Sequence, residues 1–181
     1  MDESDALDLY EEASAWTVSK VEGAVGDMDR ETDCEGWDVR SLLNHMLDTQ
    51  RYFTGAASGK AVPPPSPTPP SLLDDADPVA TFEQSRSELL RAFSAPGVVE
   101  NTGPLLGIAV ADQLLHGWDL ARATGQDPSM PAGLPDAAYR AIHGRFTDEQ
   151  RVGVFKPEVP VPPDAPPQEK LLAYTGRDPF G

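Results

Sequence analysis

Apolar side chains recur every three to four positions along four long stretches of this chain. Such spacing is typical of helices that bury one face, and it predicts helices over residues 5–28, 37–54, 78–95 and 104–124. A shorter helix is predicted over 135–146, and a brief one within "PPQEKLLAYTG" near the C-terminus. No convincing pair of strands is visible, so the pattern predicts an all-α protein with four main helices.

A proline-rich segment separates the second and third predicted helices. The stretch "AVPPPSPTPPS", residues 61–71, contains six prolines, and proline lacks the N–H group that helices and sheet ladders need. We interpret residues 60–77 as an extended connector, and residues 147–181 as a C-terminal extension. The chain, 1–181, is predicted to be a single domain, a four-helix bundle with one long crossover.

The charge of the chain narrows the range of partners. Thirty acidic and fourteen basic residues give a formal net charge of −16, which would be repelled by nucleic acid and by anionic membrane surfaces. No apolar run approaches the roughly 20 residues that span a bilayer, and the acidic N-terminus does not resemble a secretory signal. We therefore expect a cytoplasmic protein without nucleic-acid or membrane partners.

The helix predicted over 104–124 carries Asp112 and His116 at positions i and i+4. Their Cβ atoms are expected to lie roughly 5–6 Å apart on one face. The rest of this helix is mostly apolar, which indicates burial, and a buried carboxylate needs a partner. His45 lies in a similarly apolar stretch of the second helix. A divalent metal bound by His45, Asp112 and His116 would satisfy all three groups; zinc, nickel and iron accept such ligands, and three protein ligands leave an open position.

Simpler interpretations of the same residues remain open. His45 is also compatible with a core histidine that donates to a backbone carbonyl. Asp112 and His116 are compatible with an ordinary pair on a helix surface, worth about 0.2–0.5 kcal/mol. Asp119 fits an acceptor behind a metal ligand, or a solvated residue, better than a fourth ligand, because a fourth ligand would close the site.

Four further residues receive structural interpretations. Trp37 and Trp118 fit core anchors. Cys34, the single cysteine, excludes an internal disulfide and fits a small buried thiol near the start of the second helix. His143 fits a surface residue of the fifth helix. Neither a G-x-S-x-G nucleophile motif nor a glycine-rich phosphate loop is present.

Three stretches resemble a known family. "TDCEGWDVRSLLNHM" (32–46) is similar to the signature T-x-C-x-x-W-x-V-R-x-L-x-x-H of mycothiol-dependent maleylpyruvate isomerase N-terminal domains. "ADQLLHGWDLARATG" (111–125) resembles the family's second signature, acid-x-x-x-H-x-W-D-x-A, and "LLAYTGRDP" (171–179) resembles the ending of short actinobacterial metal-binding relatives. The resemblance covers most of the chain in the same order.

The resemblance implies a DinB-like bundle with up-down-down-up helices and a divalent metal, usually zinc, on three ligands. Those ligands fall on His45, Asp112 and His116. The isomerases typically have glutamate where this chain has Asp112, so the metal distance or denticity is expected to differ. They also carry a separate C-terminal domain without a counterpart in this sequence, so we expect a related reaction rather than maleylpyruvate isomerisation itself.

The leading hypothesis is therefore a metal-dependent, mycothiol-dependent S-transferase or isomerase that acts on a small electrophile. Arg40 and Arg122 are candidates for holding an anionic substrate. The main alternative is a non-catalytic metal- or ligand-binding bundle, such as a sensor or accessory protein. A purely structural bundle without metal is a third possibility, and the Trp16 face of the first helix suggests a homodimer.

Overall fold

The computed structural model describes residues 3–74 and 76–180, so residues 1, 2, 75 and 181 of the predicted domain lie outside the described part. No β-strand occurs in this part, where one isolated antiparallel bridge joins Glu31 and Asp38. The prediction of an all-α fold is confirmed. The helices are α1 (Glu3–Ala24), α2 (Val39–Ala57), α3 (Pro78–Phe93), α4 (Val98–Thr102), α5 (Leu105–Thr124), α6 (Leu134–Ile142), α7 (Asp148–Arg151) and α8 (Pro167–Tyr174).

Local sequence sets the ends of the main helices. Asp38 caps α2, as predicted, because its side chain accepts a hydrogen bond from the Ser41 N–H at 2.8 Å. α5 ends at Gly125, whose φ of +69° is a conformation that glycine adopts without strain. α1 is shorter than predicted, since Val25–Asp27 form a turn of 3-10 helix. The short helices α4 and α7 were not predicted.

α1, α3, α2 and α5 form a closed ring of four helices. α1 packs on α3 and α5, and α2 packs on the same two helices. α6 then packs on α5, and α8 packs on α6. This is the predicted four-helix bundle, with the C-terminal extension added at the α5 side. None of the described helices is both long enough and apolar enough to cross a bilayer.

The proline-rich connector is anchored along α2. The Ser66 N–H donates to Asp48 Oδ2 at 3.0 Å. Further along, the N–H groups of Leu72 and Leu73 both donate to Asn44 Oδ1, at 2.6 and 2.9 Å. The connector therefore runs back toward the start of α2, and α3 begins there. α2 and α3 are thus parallel, which gives the up-down-down-up order that the family resemblance implies.

α1 and α5 approach most closely at Gly117. A Cβ atom at Gly117 would lie 2.5 Å from Trp16 Cζ3 and 3.0 Å from Thr17 Oγ1. Trp16 thus packs onto α5, and the homodimer expected from its outer face remains a prediction. Trp118 is buried, as predicted for a core anchor. Two apolar clusters fill the bundle, one including Val39, Leu43, Met46 and Phe82, the other including Tyr10, Phe93, Leu114 and Leu171.

Candidate metal centre

α2 and α5 bring His45, Asp112 and His116 together at their contact. The His45 and His116 rings meet edge to face, with centroids 5.0 Å apart. His116 Nε2 lies 3.6 Å from Asp112 Oδ1. One potential ligand atom from each of the three residues lies within 4.8 Å of the other two. The predicted set thus converges in space; that it binds a metal remains a prediction.

Two polar atoms of this set are buried without a hydrogen-bond partner among the described residues. They are His45 Nδ1 and Asp112 Oδ2. His45 Nε2 has only a long contact of 3.5 Å with Thr49 Oγ1. A buried polar group without a partner destabilises a fold. A cation held by an imidazole of each histidine and by the Asp112 carboxylate would give these groups a partner, so the donor set fits a divalent metal.

Burial shapes the protonation of these ligands. It raises the pKa of Asp112 above its ordinary value, although the nearby His116 and Arg177 charges oppose the shift. Burial also lowers the pKa of His45 to about 3, helped by the His116 charge. His45 is therefore a neutral imidazole at neutral pH, which is the form that binds a metal.

The other nitrogen of His116 faces a second carboxylate. His116 Nδ1 lies 2.9 Å from Asp119 Oδ2. Burial alone would lower the pKa of His116, but the hydrogen bonds to Asp119 and Cys34 and the charge of Asp112 raise it to about 10 in the metal-free protein. Asp119 thus stands behind His116 as an acceptor, which is one of the two roles that the sequence left open for it.

A largely buried arginine, Arg177, neutralises the charge of Asp119. Arg177 Nε donates to Asp119 Oδ1 at 2.8 Å, and its terminal nitrogen donates to Oδ2 at 2.7 Å. Burial would raise the pKa of Asp119, but the Arg177 charge and its hydrogen bonds, with those of His116, hold it well below its usual range. Asp119 is therefore ionised and already paired with a cation.

A second group of potential ligands shares His116. Cys34, His116 and Asp119 also offer atoms within 4.8 Å of one another, and Cys34 Sγ donates to Asp119 Oδ2 at 3.4 Å. The Arg177 guanidinium group already binds the carboxylate of this group, whereas Asp112 has an oxygen without a hydrogen-bond partner in the described part of the chain. The group formed by His45, Asp112 and His116 is therefore the better candidate for a metal.

The other residues that the sequence singled out lie at the edge of the site or on the surface. Trp37 packs on His45, with ring centroids 4.6 Å apart, so it covers the site as well as the core. His143 is exposed just after α6, consistent with the surface position predicted for it. Arg40 pairs with Asp29 at 3.7 Å, and Arg122 pairs with Asp33 at 3.9 Å. Cys34 is half-buried in the loop before α2.

Arg177 and Thr49 are the site residues that the sequence analysis missed. The stretch 171–179 contains Arg177 and supported the family resemblance, but no spacing rule connects it with Asp119. Thr49 follows His45 by one helical turn, which was the only signal available for it. Assigning Arg177 to the site requires knowing that the C-terminal segment returns to α5, and the sequence does not show that path.

The geometry defines the class of the protein: an all-α bundle in which two neighbouring helices present a partly buried histidine–aspartate–histidine cluster. Residues 10–121 match the family described as mycothiol maleylpyruvate isomerase N-terminal domain. The match covers more than half of the chain, and the chain belongs to this family.

Two Mycobacterium tuberculosis proteins are similar to this chain over most of their length. They carry the names Uncharacterized protein MT0763, from strain CDC 1551 / Oshkosh, and Uncharacterized protein Rv0738, from strain H37Rv. Each is 28% identical over 160 residues, which covers 81% of this chain and 82% of the relative. No solved structure matches the chain significantly.

Proposed function

We propose that the protein binds one divalent metal through His45, Asp112 and His116 and uses it in a mycothiol-dependent S-transferase or isomerase reaction on a small electrophile. One observation carries the proposal: α2 and α5 converge on a partly buried cluster in which two buried atoms, His45 Nδ1 and Asp112 Oδ2, have no hydrogen-bond partner among the described residues. Zinc is the first choice, and nickel or iron suits the same ligands.

A metal at this site would hold a thiol sulfur in the open position and lower its pKa, so that a thiolate is available at neutral pH. The chain's own residues serve that chemistry in three ways. His45 offers a neutral imidazole from α2, His116 offers one from α5 once it has lost its proton, and Asp112 adds a negative charge. Asp119 accepts from His116 Nδ1, which leaves Nε2 as the ligating atom. Trp37 packs on one side of His45 and would shield that side of the site from water.

The family match supports the choice of thiol. The description of the family names mycothiol and maleylpyruvate isomerase. We therefore propose a small bacterial thiol and an electrophilic carbon compound as the partners. Such a thiol belongs to the cell interior, and the cytoplasm is the compartment that this function requires.

The test begins with metal analysis of untagged protein. One equivalent of metal is expected in the wild type and almost none in His116→Ala, while His143→Ala, which alters the exposed histidine, serves as the matched control. Mycothiol is then titrated calorimetrically into zinc-loaded and metal-free protein. Binding is expected only with zinc. Equal binding to both forms would refute the thiol mechanism, and absence of metal binding by the wild type would refute the metal site.

One feature favours a non-catalytic metal-binding bundle as the second candidate. The side chains of Asp112 and His116 are only 16% and 13% exposed, and Trp37 lies against His45. A covered metal suits sensing or storage better than turnover. Zinc binding without any measurable thiol binding would select this alternative, and turnover of an electrophile panel with mycothiol would exclude it.

A further inference from the structure

Asp119 lies between His116 on one side and Arg177 on the other. Arg177 comes from the segment after α8, outside residues 10–121 that match the family. Its two hydrogen bonds engage both oxygens of Asp119, and Asp119 Oδ2 in turn faces His116 Nδ1. The side chains of Asp119 and Arg177 are 2% and 16% exposed, so the contact is buried.

We propose that Arg177 is a positioning residue of the metal centre, which fixes the plane of the Asp119 carboxylate and thereby the orientation of the His116 ring. In this arrangement Nδ1 of His116 is held toward Asp119, and Nε2 is held toward Asp112 and His45. The inference rests on the proposed metal site, and it makes the C-terminal extension part of that site.

The fork geometry explains why arginine is needed. A guanidinium group donates two parallel hydrogen bonds to one carboxylate and so defines its plane, whereas a lysine ammonium acts as a point charge. Cys34 Sγ also donates to Asp119 Oδ2, at 3.4 Å. With Oδ2 shared among Arg177, His116 and Cys34, a carboxylate rotated about its axis would lose several contacts at once.

The chain holds Arg177 firmly in place. The Arg177 N–H donates to Leu172 O at 2.9 Å, and its third guanidinium nitrogen donates to Thr175 Oγ1 at 3.2 Å. Gly176 turns the backbone with a φ of +80°, and a Cβ there would lie 2.6 Å from the Lys156 carbonyl carbon. The Lys156 Nζ donates to Asp33 O at 3.0 Å, beside Cys34. The C-terminal extension therefore contacts the loop before α2 through Lys156, and it contacts α5 through Arg177.

The test compares Arg177→Met and Arg177→Lys with a matched control, Arg151→Met. Arg151 donates to Tyr174 O at 2.6 Å and lies over the Tyr174 ring, so the control loosens the same end of α8 without touching Asp119. Zinc affinity is measured by chelator competition, and the visible spectrum of the cobalt-loaded protein reports ligand geometry. Loss of a direct partner of a metal ligand costs about 10–100-fold in affinity; Arg177 acts one step further out, through Asp119, so for Arg177→Met we expect a loss near the lower end of that range, about tenfold, with an altered cobalt spectrum.

Arg177→Lys keeps the positive charge beside Asp119. If Arg177→Met does not fold, the lysine variant alone tests whether the guanidinium group positions the Asp119 carboxylate. We expect it to show weaker zinc binding than the wild type but tighter binding than Arg177→Met. Arg151→Met should retain wild-type affinity and the wild-type cobalt spectrum. Wild-type affinity and spectrum in both Arg177 variants would overturn the inference, as would an equal loss in Arg151→Met.

A readout without metal separates this inference from the proposed function. The chain has three histidines, so histidine labelled with ¹⁵N gives a simple spectrum in which the His116 Nδ1–H can be assigned. We expect a slowly exchanging Nδ1–H signal in the wild type and in Arg151→Met, and rapid exchange in both Arg177 variants. If the wild type binds no metal, the proposed function fails, and the exchange result still decides whether Arg177 orients His116.

Discussion

Two aspartates on the same face of α5 have opposite electrostatic surroundings. Asp119 is paired with Arg177, and its pKa is held well below the usual range. Asp112 is partly buried, its buried Oδ2 has no hydrogen-bond partner among the described residues, and burial raises its pKa. Because a carboxylate keeps its charge in a protein interior only beside a positive partner, the cluster around Asp112 is where a bound cation would be most favourable.

Substituting Asp112 tests the need for its charge. Asp112→Asn preserves size but removes the negative ligand, and we expect its zinc affinity to fall by more than the ~10–100-fold typical of outer partners. Asp112→Glu adds one methylene but keeps the negative charge, and it is expected to retain most of the affinity. Chelator competition measures both variants. An affinity of Asp112→Asn equal to the wild type would show that Asp112 is not a ligand.

Zinc binding is expected to release a proton and to tighten with rising pH. The pKa of His116 is about 10 in the metal-free protein, so its imidazole is protonated at pH 7. A histidine must be neutral to bind a metal, so binding displaces the proton of His116, and below pH 10 this proton makes the affinity rise about tenfold per pH unit. The pKa of His45 is about 3, so His45 contributes no proton. Calorimetry in buffers of different ionisation enthalpy counts the protons; none released at pH 7 would contradict the prediction.

The sequence predicts local geometry better than long-range contacts. Asp112 and His116 could be placed on one face because four residues make about one helical turn. His45 could be joined to them only through the chemical need of a buried group and the family resemblance. Arg177 could not be assigned, because 58 residues separate it from Asp119 and nothing in their spacing encodes the return of the C-terminal segment.

At the level of helices, the site depends on how closely α5 packs on its neighbours. The glycine at 117 lets Trp16 lie against the α5 backbone, and Thr17 Oγ1 donates to Gln113 O at 2.9 Å. The apolar period predicted which faces are buried, but not which helix each face meets. The contacts that anchor the connector on α2 could not be predicted from the sequence either, because a run of prolines does not indicate which residues it will contact.

Gly117→Ala is expected to destabilise the protein despite the higher helix propensity of alanine. Its Cβ would lie 2.5 Å from the Trp16 ring, and such overpacking costs about 1–3 kcal/mol, against a propensity gain of about 1 kcal/mol. Gly26→Ala is the matched control, because nothing lies within 4 Å of its added Cβ. Urea unfolding measures both, and a more stable Gly117→Ala would mean that α1 and α5 separate at little cost.

Asn44→Ala should release the connector from α2. Asn44 Oδ1 accepts from both Leu72 and Leu73, and Leu73 is buried. An unsatisfied buried donor costs about 1–3 kcal/mol, so the free energy of unfolding should fall by that order. Gln84→Ala removes an exposed contact with Glu88 on α3 and should change stability by no more than about 0.5 kcal/mol. Equal small effects in both variants would show that the anchoring is not stabilising.

At the scale of the whole molecule, the ligands lie on two helices whose chain connection is long. His45 is on α2, while Asp112 and His116 are on α5, with the connector, α3 and α4 between them in sequence. A bound metal would therefore link two adjacent helices that belong to different halves of the chain. The net charge of −16 also favours the approach of a cation over that of an anionic electrophile.

Metal binding is accordingly expected to raise the stability of the entire bundle. A ligand that binds only the folded state adds about 2.7 kcal/mol at a free concentration 100 times its Kd. Thermal unfolding with excess zinc and with chelator should show this difference in the wild type and in His143→Ala, but not in His116→Ala. Hydrogen exchange should slow in α2 and α5 together, because the metal joins them; protection confined to α5 would mean that His45 is not a ligand.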